Sequence, residues 1–230
     1  MQILLASATR SELGALPEQL DTGLNIHPDL HLSYLETGIG MMSSSMELSR
    51  YMLKQRPSLV IQAGIAGSFS PAHPPGSLAI VIEEIQGDLG VEENGQFRDI
   101  FDMGLQSPNA FPFQAKLLIN PSKALLASAG LPLVRAITVN EVSTRPQRIE
   151  QLKEKYAPIL ESMEGAALHF ICLREKIPFL QLRAVSNFVG ERDKRKWQIK
   201  EAVQKLHNQL NSLLENPELL FRLHQQIAHP

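Results

Sequence analysis

Short apolar runs of strand length recur along this chain, and stretches with helical spacing lie between several of them. Runs without polar alternation are typical of strands buried on both faces. They lie at 3–8, 58–63, 77–85, 134–139 and 179–187, with a weaker candidate at 31–37. Helices are predicted at 41–55, 145–156, 163–175 and 197–214. This alternation predicts an α/β fold, with a mainly parallel or mixed sheet and helices on both of its faces.

Length and composition restrict the class of protein. The 230 residues contain no repeat and no linker, so we expect one domain over residues 1–230. An apolar content of 43% and a net charge of -2 favour a cytoplasmic globular protein that binds neither nucleic acid nor membrane. Cys172 is the only cysteine and lies in an apolar helical run, so it is predicted to be a core residue rather than part of a disulfide or metal site.

Residues that can do chemistry cluster where strands end or helices begin. Such clusters occur at Thr9–Glu12, Gln62–Phe69, Ser162–Gly165 and Arg183–Asn187. In open α/β sheets, ligands bind beyond the carboxyl ends of the strands, so these clusters are expected to share one crevice. Two carboxylates, Glu12 and Glu164, together with the amide of Asn187, suit cleavage of a glycosyl bond through an oxocarbenium-like transition state. One carboxylate would activate water, and the other would bind sugar hydroxyls and stabilise positive charge.

Each of these residues also has a purely structural interpretation. Glu12 has the spacing of a capping box with Thr9, and the two roles can coexist. Glu164 could simply favour the dipole of the helix that follows it. Arg183 lies in an apolar strand and needs a partner if it is buried, whatever its role. Asn187 alone could be a turn residue.

Four motifs, taken in order, resemble those of the nucleoside phosphorylase and nucleosidase family. They are Gly38-Ile-Gly40, Gln62-Ala-Gly-Ile-Ala-Gly67, Ser162-Met-Glu-Gly-Ala-Ala167 and Arg183-Ala-Val-Ser-Asn187, and they span most of the chain. The resemblance implies a three-layer α/β fold around a mixed, barrel-like central sheet flanked by helices. It also implies a homodimer or a higher homo-oligomer.

The resemblance implies a role for individual residues. Glu12 corresponds to the acidic residue that activates water in the hydrolytic branch, and Asn187 would stabilise the leaving base. Residues expected to bind the ribose are Met163, Glu164 and Arg183, and those expected near the base are Ala66, Gly67, Val142 and Ser186. The substrate is therefore a nucleoside, and neither a metal nor an organic cofactor is expected.

Gln62 separates this chain from the phosphorylases of the family. Those enzymes hold phosphate with an arginine two residues before the glycine turn, where this chain has Gln62. Arg10 is the one nearby cation and keeps a phosphorylase open as an alternative. Water is the favoured nucleophile, so the sequence predicts a nucleosidase, that is, a hydrolase of the N-glycosidic bond.

Asn187 separates this chain from the adenine-specific nucleosidases, which have aspartate at this position. An asparagine amide can donate to a 6-oxo oxygen and accept from a protonated N7. A buried amide that matches the edge of the base discriminates strongly, because the wrong base leaves polar groups unpaired. The sequence therefore predicts a preference for a hypoxanthine-type base.

An irregular stretch at 87–112 is predicted to cover a pocket or to contact a partner subunit. The resemblance further implies a substrate with an aromatic 5′ substituent, and three phenylalanines in or next to this stretch are expected to stack on it, namely Phe101, Phe111 and Phe113. An arginine or lysine, from this chain or from its partner, would bind a carboxylate on that substituent.

Three alternatives stay open at this point. The first is a nucleosidase acting on methylthioadenosine or adenosylhomocysteine, which Asn187 disfavours. The second is a phosphorylase of 6-oxopurine nucleosides, which Gln62 disfavours. The third is a nucleoside-binding or dinucleotide-binding module without catalysis, which the two carboxylates disfavour.

Overall fold

The computed structural model describes residues 1–22, 27–128, 130–216 and 220–221. The strands are β1 (Gln2–Ser7), β2 (His31–Glu36), β3 (Leu59–Ser68), β4 (Leu78–Gln86), β5 (Gly90–Glu93), β6 (Gln96–Asp99), β7 (Leu118–Ile119), β8 (Leu133–Thr138), β9 (Leu160–Ser162) and β10 (Phe179–Phe188). The helices are α1 (Leu16–Asp21), α2 (Met41–Lys54), α3 (Lys123–Ser128), α4 (Pro146–Tyr156), α5 (Gly165–Glu175) and α6 (Ile199–Leu214). Short 3-10 helices occupy Arg10–Leu13 and Lys194–Lys196. The predicted α/β alternation is therefore confirmed.

Five strands of the central sheet close on themselves. Their order is β10, β4, β8, β9 and β3, and a parallel pairing between β3 and β10 closes the ring. Strands β1 and β2 extend the sheet from β3 in parallel, while β4 pairs antiparallel with β10. Strands β5 and β6 form a separate hairpin. The sheet is thus mixed and barrel-like, as the family resemblance implies.

Helices cover both faces of this sheet, because successive side chains of a buried strand point to opposite faces. Ile61 of β3 packs in a cluster with Leu206 and Leu210 of α6. The adjacent Val60 packs instead in a cluster that contains Leu48 of α2 and Cys172 of α5. The arrangement has three layers, and Cys172 is fully buried in its core, as predicted.

Strand β3 is longer than its sequence suggests. The glycines from Gly64 to Gly67 were predicted to form a turn, but β3 runs on to Ser68. The prediction was wrong because β10 pairs with β3 along this whole stretch, up to Asn187 opposite Gly67 and Phe188 opposite Ser68. Glycine has a low intrinsic preference for strands, and the pairing with β10 outweighs that low preference here.

Two boundaries near the site also differ from prediction. A helix was predicted to begin at Met163, but Ser162 ends strand β9, and α5 begins at Gly165 with Glu164 at its N-cap. The pairing of β9 with both β3 and β8 holds this stretch extended. Trp197 was predicted to lie in the last long helix but precedes α6, and its indole N–H donates to the carbonyl of Glu191 over 3.0 Å.

Candidate active site

A cavity of about 510 Å³ lies where the carboxyl ends of several strands meet. Its walls come from the residues that follow β1, from the second half of β3, from the β9–α5 junction, from the end of β10 and from the start of α6. Eight residues predicted to form the site line it, namely Glu12, Ala66, Gly67, Val142, Met163, Glu164, Ser186 and Asn187. Parallel packing of β1, β3 and β10 brings their carboxyl ends to one edge and so assembles these residues.

Glu12 is held against the cavity wall by three backbone donors. Its Oε2 accepts from the N–H groups of Ala8 at 3.0 Å and Thr9 at 3.2 Å, the second of which is the carboxylate half of a capping box. Its Oε1 accepts from the N–H of Ile65 in β3 at 3.1 Å. Burial raises the pKa of Glu12, while the positive charge of Arg183 opposes that shift. Capping and a place in the site therefore coexist.

Arg183 lies behind the cavity wall rather than on it. Its side chain is only 1% exposed, and Nη2 donates to Oε1 of Gln62 over 2.7 Å. A Cβ added to Gly64 would come within 2.4 Å of Arg183 Nη1 and 2.9 Å of Glu12 Oε1. Glycine at this position therefore lets the guanidinium and the carboxylate approach the strand side by side. Arg183 is thus placed to act on the Glu12 carboxylate through its charge.

Glu164 is joined to the Gly38–Gly40 turn. Its side chain is 6% exposed, and Oε1 accepts from the N–H of Gly40 over 2.9 Å. Gly40 has a φ of 89°, a conformation that favours glycine. The turn before α2 and the start of α5 are distant in sequence, and this hydrogen bond links them at the cavity.

The Asn187 amide has a defined orientation. Its Nδ2 donates to the carbonyl of Phe188 over 2.8 Å, and its Oδ1 accepts from the hydroxyl of Ser186 over 2.7 Å. A flipped amide would place two oxygens against each other at Phe188. One N–H of the amide therefore stays free to donate toward the cavity, and Oδ1 keeps a second lone pair.

The three phenylalanines predicted to contact the substrate lie elsewhere. Phe101 and Phe113 stack edge to face with their centroids 5.1 Å apart, in a cluster with Leu118 and Ala166. Phe111 is 63% exposed. None of the three lines the cavity formed by the described part of this chain. They belong to the 87–119 region, which packs beside α5, and sequence spacing carries no information about that long-range placement.

The cavity also has wall residues that sequence reasoning did not select. Arg192 and Trp197 come from the segment between β10 and α6, and Lys200 comes from the first turn of α6. Glu161 comes from β9, and burial raises the pKa of its carboxyl, while the side chain and then the backbone N–H of Ser143 oppose the shift. Strand β9 has only three residues and was not predicted. Nothing in the local sequence therefore indicated that Glu161 lines the cavity.

Among the residues that the structure describes, no group of three or more His, Cys, Asp or Glu side chains is arranged to hold a metal ion. No helix within the same ranges is long and apolar enough to cross a membrane.

Comparison with known proteins places this geometry in a family. The chain is 32% identical to futalosine hydrolase of Thermus thermophilus over 184 residues, covering 79% of this chain and 80% of that protein. It is 31% identical to futalosine hydrolase of Streptomyces coelicolor over 229 residues, covering 93% and 95%. A solved structure of a futalosine hydrolase mutant of Helicobacter pylori superposes with a TM-score of 0.77 at 18% identity, covering 94% of this chain and 99% of that one, and so shares the fold.

The sequence model of the phosphorylase superfamily matches residues 27–216. This range holds every residue of the cavity wall except those that follow β1, namely Ala8, Thr9, Ser11 and Glu12. The chain therefore belongs to the phosphorylase superfamily.

Proposed function

We propose that this protein hydrolyses the N-glycosidic bond of futalosine, which yields hypoxanthine and dehypoxanthinyl futalosine in the futalosine route to menaquinone. The observation that carries this proposal is the convergence of Glu12, Glu164 and Asn187 on one cavity. Relatives in two genera are futalosine hydrolases that match most of the chain. Local sequences such as Ile61–Phe69 and Ser186–Asp193 resemble that enzyme in particular.

Glu12 is proposed as the general base. It takes a proton from water as the water attacks C1′ of the ribose, and the three backbone N–H donors keep its carboxylate fixed. The bond to the base is largely broken before attack, so positive charge develops on the sugar. Glu164 binds the ribose hydroxyls and favours that charge, with Met163 beside it on the cavity wall. Arg183 acts indirectly, as a buried positive charge that opposes protonation of Glu12.

Asn187 is proposed to stabilise the departing base. Its free N–H donates to the 6-oxo oxygen, and Oδ1 accepts from N7 once solvent has supplied that nitrogen with a proton, which balances the proton that Glu12 removes from water. Ser186 holds the amide in place, and a Cβ at Gly67 would lie 3.6 Å from Asn187 Nδ2, so a base bound by the amide lies near Gly67. A 6-aminopurine would present a donor to the same N–H and leave both groups unpaired.

Water rather than phosphate is the proposed nucleophile, because neither of the two groups that might bind phosphate lines the cavity. Gln62 is 1% exposed, is not among the cavity-lining residues, and its Oε1 accepts from Arg183. Arg10 is engaged with Glu18 and Asp21 at 3.5 and 2.6 Å and does not line the cavity. These contacts argue against the phosphorylase alternative.

The 5′ substituent of futalosine carries a carboxyphenyl ketone, and the outer part of the cavity suits it. Trp197 offers an aromatic surface, and the Arg192 guanidinium lies 5.6 Å from the centre of its ring. Lys200 is the second cation on this wall. Arg192 is therefore the proposed partner of the substrate carboxylate in this chain, and Lys200 is the second candidate. The three phenylalanines stay candidates only through a partner subunit.

The proposal is tested by incubating the protein with futalosine, inosine and methylthioadenosine, each with and without phosphate, and identifying the released base. Hypoxanthine from futalosine, at a rate independent of phosphate, is the expected result. Adenine from methylthioadenosine alone would favour the adenine-directed nucleosidase. Release of ribose 1-phosphate would support the phosphorylase alternative instead, and binding without turnover would indicate a non-catalytic module.

The assembly and the location belong to the same proposal. A homodimer or higher homo-oligomer is proposed as the working form, and the cytoplasm as its location.

A further inference from the structure

Glu161 is a carboxylate on the cavity wall that the mechanism above leaves without a role. Its side chain is 6% exposed. Its Oε1 accepts from the backbone N–H of Ser143 over 3.0 Å. Its Oε2 is buried and meets no hydrogen-bond donor among the residues that the structure describes. A buried oxygen without a donor is costly, so a donor from a ligand in the cavity is the partner that this atom lacks.

The sheet places Glu161 and Asn187 on opposite sides of one glycine. Strand β3 lies between β9 and β10, and Gly67 is the register partner of Glu161 on one side and of Asn187 on the other. Neighbouring strands are about 4.8 Å apart, so the two backbones are roughly 10 Å apart. All three residues line the cavity. A flat base over Gly67 would therefore have an amide at one end and a carboxylate at the other.

The two ends of a 6-oxopurine match these two side chains. Its N7 and O6 form one polar edge, and its N1–H is a donor next to O6. We propose that Oε2 of Glu161 accepts the N1–H of the base while Asn187 contacts O6 and N7, which makes Glu161 a second residue that selects the base. This inference rests on the proposed 6-oxopurine substrate. In a 6-aminopurine, N1 is an acceptor, and it would face the carboxylate oxygen without a proton between them.

The substitution Glu161→Gln tests the assignment, because Ser143 fixes the orientation of the new amide. The Ser143 N–H requires an oxygen, so the amide NH2 takes the place of Oε2. That group opposes the N1–H of a 6-oxopurine and matches N1 of a 6-aminopurine. We expect the ratio of kcat/KM for futalosine to kcat/KM for its 6-amino counterpart to fall by about 10-fold to 100-fold.

An equal loss of activity on both substrates, or an unchanged ratio, would overturn the assignment, because a merely structural role moves both rates together. A matched measurement uses futalosine methylated at N1. The unsubstituted enzyme should reject it strongly, and Glu161→Ala should lose most of that discrimination. Discrimination that persists in Glu161→Ala would also overturn the assignment.

The same assays separate this inference from the proposed function. If the unsubstituted protein releases no hypoxanthine from futalosine, the proposed function itself fails. If it does so and Glu161→Gln leaves the ratio unchanged, only the role of Glu161 fails.

Discussion

Three backbone N–H groups converge on the Glu12 carboxylate, which explains how one residue can both cap a helix and line the cavity. Ala8 and Thr9 donate from the segment after β1, and Ile65 donates from β3. The side chain therefore joins two strands that are far apart in the sequence. A carboxylate fixed in this way needs little reorganisation when it accepts a proton from water.

The variant Glu12→Gln should reduce kcat by about 10²-fold to 10⁴-fold, the range for loss of a general base. Substrate binding should weaken much less, because the amide keeps the size of the side chain. Single-turnover kinetics and a separate binding titration with futalosine measure the two effects. Near-normal turnover in this variant would mean that Glu12 is only a cap.

The pH dependence of the unsubstituted enzyme provides a second check on Glu12. Burial raises its pKa above the ordinary value of 4.5, although Arg183 opposes the shift. Water activation requires the unprotonated carboxylate, so kcat/KM should fall as the pH falls through that raised pKa. A profile of kcat/KM against pH that stays flat down to pH 4.5 would contradict this assignment.

The variant Asn187→Asp should reverse the choice of base. A carboxylate has no N–H for a 6-oxo oxygen, so activity on futalosine should fall by on the order of 10²-fold or more. The new carboxylate can accept a hydrogen bond from a 6-amino group, so the variant should gain activity on the 6-amino counterpart of futalosine. Base release from the two substrates, measured side by side, checks this, and an unchanged preference would refute the role of Asn187.

At the scale of elements, a buried polar cluster joins strands β4, β8 and β10 to the start of α5. The carboxyl of Glu84 accepts from Gln181 at 2.8 Å and from Thr138 at 2.9 Å. The Thr138 hydroxyl in turn accepts from the N–H of Ala166 in the first turn of α5. The cluster therefore fixes the helix whose N-cap, Glu164, lines the cavity.

Burial raises the pKa of Glu84 to about 7, against the opposing hydrogen bonds from Gln181 and Thr138. The protonated form is therefore favoured in the folded state. The associated stability is present below about pH 4.5 and is lost as the pH rises through about 7. The free energy of unfolding should fall by on the order of 3 kcal/mol over that window.

Chemical denaturation between pH 4.5 and pH 8 measures this effect, and Glu84→Gln should remove most of the pH dependence. The matched control is Glu83→Gln. Glu83 is the adjacent residue of β4, and it pairs with Arg135 at 2.7 Å while keeping a partly exposed side chain. The control should retain the pH dependence, because Glu84 is intact. A dependence that survives in Glu84→Gln would place its origin elsewhere.

At the scale of the whole molecule, an apolar surface lies next to the cavity. Helix α2 exposes Met42, Met46 and Leu53, which are 84%, 58% and 87% exposed and share one side of the helix. Ile39 is 63% exposed and also lines the cavity. Adjacent exposed apolar side chains of this kind mark interaction surfaces. The proposed homo-oligomer would bury them and cover the edge of the cavity.

Replacing Met42 and Met46 together by lysine should therefore weaken self-association by at least about 100-fold, because a charge would have to be buried in the interface. Sedimentation should show the unsubstituted protein at a multiple of 25.6 kDa and the variant at 25.6 kDa. Leu133→Lys is the matched control, since Leu133 is 46% exposed at the start of β8. A monomeric unsubstituted protein at micromolar concentration would contradict the proposal.

The sequence by itself determined most of the strands and helices, and it identified Glu12, Glu164 and Asn187 as candidate site residues. It could do so because burial on both faces leaves an apolar run, and because polar residues at strand ends break that run. Those signals are local. The family motifs lie at these same strand ends and helix starts.

Only the tertiary structure decided which residues meet. Gln62 and Arg183 are 121 positions apart, and their hydrogen bond exists because β3 and β10 are paired. The same pairing turned a predicted glycine turn into strand, and the closure of the sheet placed Glu161 opposite Gly67. In the folded chain, Trp197 lies on the cavity wall and the predicted phenylalanines do not. These outcomes depend on contacts between distant segments, which neither spacing nor local preference encodes.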